Sequence, residues 1–95
     1  MATQFDMNGQ VAVITGGAQG IGKACAERFL ASGAKVAIWD PDTTLAENTV
    51  EELSSAGVIK AYDVDVTNVA NVDDAVTQVT TDMDRIDILV NNAGV

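Results

Sequence analysis

Apolar positions along this chain switch between a strand-like and a helix-like rhythm. Val11-Ala12-Val13-Ile14-Thr15 is a short β-branched run and predicts a buried strand. Ile21, Cys25 and Phe29 follow at a spacing of four, with Ala24 and Leu30 beside them, which predicts a helix face that stops near Gly33. Lys35 to Trp39 predicts a second strand. A helix is expected near Thr44–Ser55, with Thr44 and Glu47 as a capping box, Ala46, Val50 and Leu53 as its stripe and Gly57 as its stop. Val58 to Val64 predicts a third strand. Val69, Val72, Val76, Val79 and Met83 predict a third amphipathic helix, capped by Thr67 or Asn68. Ile86 to Val90 predicts a fourth strand, followed by turn residues Asn91 to Gly94.

The resulting order, β-α-β-α-β-α-β, is that of an α/β fold with a parallel sheet and right-handed crossovers. Ninety-five residues leave room for one small domain. With 47% hydrophobic and 20% charged residues the composition is that of a globular chain, and no apolar run reaches the length of a membrane span. Met1 to Gln10 carries no basic stretch and no long apolar segment, so no signal peptide is expected, and the expected location is cytoplasmic. A single cysteine, Cys25, and the absence of histidine exclude a disulfide, a cysteine metal cluster and a histidine base within this sequence.

Charge sharpens the picture by position. Residues 1–35 hold three bases and two acids, whereas residues 36–95 hold Lys60 and Arg85 against twelve acids. No basic face is available for nucleic acid or for an anionic membrane. Most of the acids fall off the apolar stripes and read as solvated helix faces. An anion bound by this chain would have to be held by backbone dipoles in its first third.

That third contains the means. Gly16, Gly17, Gly20 and Gly22 fall within seven residues, between the first strand and the first helix. Glycine permits the sharp turn, and a missing Cβ lets a phosphate approach the N–H groups of the helix's first turn. The spacing is Gly-x3-Gly-x-Gly, and no Gly-Lys-Ser/Thr of a P-loop is present. A ligand-free tight turn is the plainer alternative. Asp40 ends the second strand 18 residues after Gly22. An acid there accepts ribose hydroxyls and repels a 2′-phosphate, with Pro41 keeping it extended; the plainer alternative is a turn aspartate.

Thr15-Gly16-Gly17-Ala18-Gln19-Gly20-Ile21-Gly22 resembles the Thr-Gly-x-x-x-Gly-x-Gly fingerprint of the short-chain dehydrogenases/reductases. Asp65-Val66 resembles that family's adenine contact, and Asn91-Asn92-Ala93-Gly94 its Asn-Asn-Ala-Gly motif. The resemblance extends from about Gly9 to Val95 and is nearest to the 3-oxoacyl-(acyl carrier protein) reductase and sugar or polyol dehydrogenase group. It implies that Gly16, Gln19, Gly20, Ile21 and Gly22 line the pyrophosphate and adenosine side of a dinucleotide, and that Asp40 holds the ribose. Asp65 would contact the adenine amino group with Val66 beside the ring. Asn92, Ala93 and Gly94 would pass the cofactor's middle, and Asn91 would tie the central strands together. Family members that use NADP place a cation just before the Gly-x-Gly or just after the second strand. Gln19, Asp40 and Pro41 stand in those places here, so NAD is the expected cofactor.

The family's chemistry also needs a Tyr-x-x-x-Lys pair and a serine. The only tyrosine, Tyr62, has Val66 four residues on and lies in a predicted strand, and Ser32, Ser54 and Ser55 sit at helix ends. No catalytic residue is therefore assigned. Residues 1–95 are expected to form the N-terminal half of a Rossmann-type NAD(P)-binding domain, with strands in spatial order 3-2-1-4. The parent protein would transfer hydride between NAD(H) and an alcohol or ketone and form a homo-oligomer. Alternatives are a stand-alone half-domain that dimerises along its open edge, and a structural remnant that binds nothing. The open edge, Ile86 to Val90, is an aggregation hazard.

Overall fold

Val11–Thr15, five consecutive buried residues, form the strand (β1) on which the sheet is built. The structure is a computed structural model that describes residues 6–92. After β1 come α1 (Gly20–Ala31), β2 (Lys35–Trp39), α2 (Thr43–Leu53), a 3₁₀ turn (Ser54–Ala56), β3 (Ile59–Tyr62), α3 (Val69–Met83) and β4 (Ile88–Asn91). All strand pairs are parallel and the order is β3-β2-β1-β4, as expected. Val11 pairs with Lys35 and Thr15 with Trp39 on one side; Thr15 pairs with Asn91 on the other. Parallel pairing of neighbours in sequence forces each connection across a face of the sheet, where a helix covers it.

The two faces are covered unequally. On one, Ala26 and Leu30 of α1 and Ala46 of α2 pack on Ile14, Val36 and Ile38. On the other, α3 alone packs Ala75, Val79 and Met83 onto Val11, Val13, Ala37, Trp39 and Tyr62. Among the described residues β4 is an edge strand, and its Leu89 is 60% exposed.

The α2 stripe of Ala46, Val50 and Leu53 packs as expected, whereas the faces of α1 and α3 depart from expectation in part. In α1 the buried line is Gly22, Ala26 and Leu30, with Cys25 and Phe29 only partly covered and Ile21 exposed. In α3 it is Ala75, Val79 and Met83; Val69 and Val76 are exposed. Small residues let a helix backbone approach the sheet, so Gly22, Ala26 and Ala75 share the contact lines with Leu30, Val79 and Met83, and Ile21, Val69 and Val76 fall outside them.

Caps also shift. Asp42, not Thr44, caps α2, its carboxylate accepting from the Leu45 N–H at 3.1 Å, so the helix starts a residue early. Asn68 caps α3 by accepting from the Asn71 N–H. Gly33, at φ 95, follows α1 as expected, and the Ala34 N–H returns to the Phe29 carbonyl. β3 and β4 are shorter than the apolar runs that predicted them.

Candidate functional site

β1 lies between β2 and β4, and the chain leaves it on one face while the crossover into β4 runs on the other. The carboxyl ends of β1 and β4 therefore flank a crevice at the point where strand order reverses, the place where open α/β sheets bind ligands. The glycine turn, residues 16–19, occupies this point.

The turn is held by its neighbours through its own backbone. The Gly16 N–H donates to the Trp39 carbonyl at 2.8 Å, anchoring it to β2. Asn92 Nδ2 donates to the Gly16 carbonyl at 3.3 Å, anchoring it to the end of β4. Thr49 Oγ1, from α2, donates to the Ala18 carbonyl at 2.5 Å. Beneath the turn, Thr15 is buried and its hydroxyl accepts from the Asn92 N–H at 2.8 Å. The same hydroxyl lies 3.3 Å from both the Val90 carbonyl and Asn91 Oδ1. Thus Asn91 and Asn92 both tie β4 to β1, and Asn92 also reaches the turn.

Close packing explains the last glycine. A Cβ on Gly22 would stand 2.4 Å from the Gly16 carbonyl oxygen and 3.0 Å from Asn92 Nδ2. The outer side of the turn is different: Gly20 is at φ 61 and a Cβ there would meet nothing within 4 Å. Gln19 precedes α1 in an extended conformation and its side chain does not cap the helix. The first turn of α1 thus presents N–H groups and the positive end of the helix dipole toward open space, with no acidic side chain among its residues. These groups fit an anionic pyrophosphate. Lys23, the nearest lysine, is engaged elsewhere: its ammonium pairs with Glu52 at 2.5 Å, and that hydrogen bond raises its pKa.

Asp40 follows β2, where its N–H donates to the Tyr62 carbonyl. Its Oδ1 accepts from the Asp42 N–H at 2.9 Å, so the residue serves as a turn aspartate. Beside it, between α2 and β3, lies a concave pocket of about 210 Å³ whose lining includes Asp40, Glu47 and Asp63. Asp65 follows β3. Its Oδ1 accepts from the hydroxyl and the N–H of Thr67, at 2.6 and 2.9 Å, and these bonds hold its carboxyl below the usual range. Val66 is half-buried against the α3 core. Gly16, Gln19, Gly20, Ile21, Gly22, Asp40, Asp65, Val66 and Asn92 therefore all lie at the carboxyl ends of the strands or just beyond them. Ala93 and Gly94 lie outside the described residues.

Tyr62 points into the core of the α3 face. Its hydroxyl donates to Asp82 Oδ2 at 2.8 Å, and burial, then Asp82, push its pKa well above the ordinary phenol value. Lys60 pairs with the same oxygen at 2.8 Å. A proton-transfer tyrosine needs a lowered pKa, so this one is structural. Among the described residues no group of three or more metal-ligating side chains is assembled, and no helix is long and apolar enough to cross a membrane.

The roles of two hydroxyls, on Thr15 and Thr49, are not visible in the sequence. Thr15 reads in sequence as the last residue of a strand and the first of a motif, with no role for its hydroxyl. Thr49 sits among Ala46, Val50 and Leu53 and is 2% exposed; a hydroxyl inside an apolar stripe was the available signal.

Residues 10–95 match the family model described as short chain dehydrogenase. The galactitol 2-dehydrogenase of Agrobacterium fabrum is 44% identical over 89 residues, 94% of this chain and 34% of that protein. The crystal structure of 3-ketoacyl-(acyl-carrier-protein) reductase from Brucella melitensis complexed with NADH superposes with a TM-score of 0.81 at 38% identity, over 87% of this chain and 33% of that one. The RhlG/NADP complex of Pseudomonas aeruginosa superposes with a TM-score of 0.89 at 35% identity, over all of this chain and 38% of that one. The chain thus spans about a third of the length of these relatives. With the glycine turn, the parallel sheet and the strand-end motifs in place, this chain belongs to the short-chain dehydrogenase family.

Proposed function

We propose that this chain holds the adenosine and pyrophosphate portion of NAD(H) in an enzyme that transfers hydride between the cofactor and an alcohol or ketone. The observation that carries this reading is the uncapped start of α1, set by the glycine turn in the crevice between β1 and β4. Gly16, Gln19, Gly20, Ile21 and Gly22 receive the pyrophosphate through backbone N–H groups. Asp40 accepts the ribose hydroxyls, Asp65 the adenine amino group, and Val66 packs beside the ring. Asn92, Ala93 and Gly94 pass the middle of the cofactor. Bound NAD supplies the hydride-accepting ring; the residues of this chain bind and orient it. Galactitol and 3-ketoacyl groups, named for two relatives, support an alcohol or ketone as substrate.

NAD is proposed over NADP on electrostatic grounds. Asp40, Glu47 and Asp63 line the pocket beside the ribose position, and Lys23 is paired with Glu52. A 2′-phosphate would meet carboxylates there and no available cation. Calorimetric titration of the intact protein tests this. NAD should bind at least about tenfold more tightly than NADP, a difference of about 1.4 kcal/mol. Equal or tighter NADP binding overturns the preference, and binding of neither overturns the reading as a whole.

A further inference from the structure

We propose that Thr49 is a positioning residue for the cofactor turn, an assignment that rests on the dinucleotide reading above. Thr49 lies in the middle of α2, on the face packed against the sheet, and is 2% exposed. A threonine in a helix ordinarily satisfies its hydroxyl on the carbonyl one turn back. This one reaches out of its helix to the Ala18 carbonyl, 31 residues away in sequence and 2.5 Å away in space.

Ala18 is itself buried, at 1% exposure, within the turn. The first backbone bond of α1 returns to Gln19, so the helix ladder does not reach the Ala18 carbonyl. Thr49 therefore satisfies a buried acceptor that the regular structure leaves over, and the acceptor satisfies a buried hydroxyl. Removing either partner leaves the other buried without a hydrogen bond.

The consequence for a ligand comes from the planarity of the peptide. The Ala18 carbonyl and the Gln19 N–H belong to one rigid trans unit, so fixing the carbonyl fixes the direction of the N–H. The Gly20 backbone, at φ 61, and the start of α1 follow directly. Asn92 secures the Gly16 carbonyl in the same way from β4. The turn is thus gripped at both ends, by one side chain from each face of the crevice, and its N–H groups are aimed before any phosphate arrives. Pre-organisation of this kind adds affinity without a contact between Thr49 and the ligand.

Two substitutions in the intact protein test the role. Thr49→Val keeps the shape and removes the hydroxyl; Thr49→Ser keeps the hydroxyl. Thr49→Val should weaken NAD and ADP binding about tenfold and adenosine binding less than about twofold, because the loss falls on the phosphates. Thr49→Ser should bind all three within about twofold of the parent. Hydrogen exchange supplies a ligand-free readout: in Thr49→Val the amides of residues 16–20 should exchange faster while Val13 and Ile38 keep their protection. Parental affinity and parental exchange in Thr49→Val overturn the proposal. So does an equal loss in Thr49→Ser, or a loss shared by adenosine. A parent protein that binds NAD while Thr49→Val binds equally refutes only the positioning role; a parent that binds no NAD refutes the cofactor reading and this role with it.

Discussion

Gly22 lies so close to the Gly16 carbonyl that a Cβ there would stand 2.4 Å from its oxygen. Both partners are backbone, so neither can rotate away. Gly22→Ala should cost about 1–3 kcal/mol through overpacking and weaken cofactor binding by displacing the start of α1. Gly20→Ala makes the contrast. It meets open space and strains only the backbone at φ 61, a penalty of about 1–2 kcal/mol. Gly20→Asn should recover part of that loss and Gly22→Asn none. Thermal melts with and without NAD distinguish the two positions.

Asp40 is expected to set the cofactor preference. Asp40→Ser removes the nearest carboxylate but leaves Glu47 and Asp63 on the pocket. The ratio of NADP to NAD affinity should rise about tenfold while NADP stays short of parity with the parent's NAD affinity. Adding Pro41→Arg should raise the ratio further by supplying a cation. Paired titrations of the two cofactors read the ratio directly.

Acid should destabilise the fold through Asp87 and Asp82. Asp87 accepts from the Val11 N–H at 2.8 Å and from Arg85, and its pKa is lowered by Arg85 first and then by that backbone bond. Asp82 is lowered by Lys60 and then by Tyr62. A depressed folded-state pKa gives stability that is present above the unfolded value, 3.8, and lost as pH falls through the folded one. The melting temperature should therefore drop steeply only below about pH 4. Asp87→Asn, stable or not at neutral pH, should flatten that drop.

Tyr62→Phe should lower stability by about 1 kcal/mol, the worth of the hydrogen bond to Asp82, and leave NAD affinity unchanged. The raised phenol also predicts an alkaline limit. The neutral hydroxyl stabilises the fold fully below the ordinary value of 10.0, and this contribution is lost as pH rises toward the higher folded-state pKa. Melting curves from pH 8 to 11 should lose part of their alkaline slope in the phenylalanine variant, the remainder coming from Lys23, whose pKa is raised by Glu52.

The sheet was legible from sequence because burial on both faces writes a continuous apolar run, as in Val11–Thr15 and Lys35–Trp39. The crossovers and strand order followed from alternation and from the family resemblance. The faces of α1 and α3 were displaced in part because apolar counting favours Ile21, Val69 and Val76, whereas contact is made through Gly22, Ala26 and Leu30 in one and Ala75, Val79 and Met83 in the other. Within the site, the glycine turn was readable because its residue type is dictated locally. Thr49 and Thr15 were not, because a hydroxyl shows its purpose only when its partner, 31 or more than 70 positions away, is brought beside it. Asp40 and Asp65 are seen as turn residues, and their proposed ligand roles rest on motif spacing. Each spends one oxygen on a local turn, and the motif spacing that suggests a ligand is also good turn chemistry.

The sheet order has a bearing on how the molecule assembles. β1 meets β2 after a single short crossover, but it meets β4 only across the rest of the chain, Val11 and Asp87 being 76 positions apart. Closing that loop carries the largest entropy cost in the sheet, so the β1–β4 seam is expected to form after the β1–β2 pairing. Asn92, which secures the glycine turn, arrives with β4. During synthesis the Val-rich edge of β1 therefore emerges long before the strand that covers it, and the crevice exists only once that strand has docked.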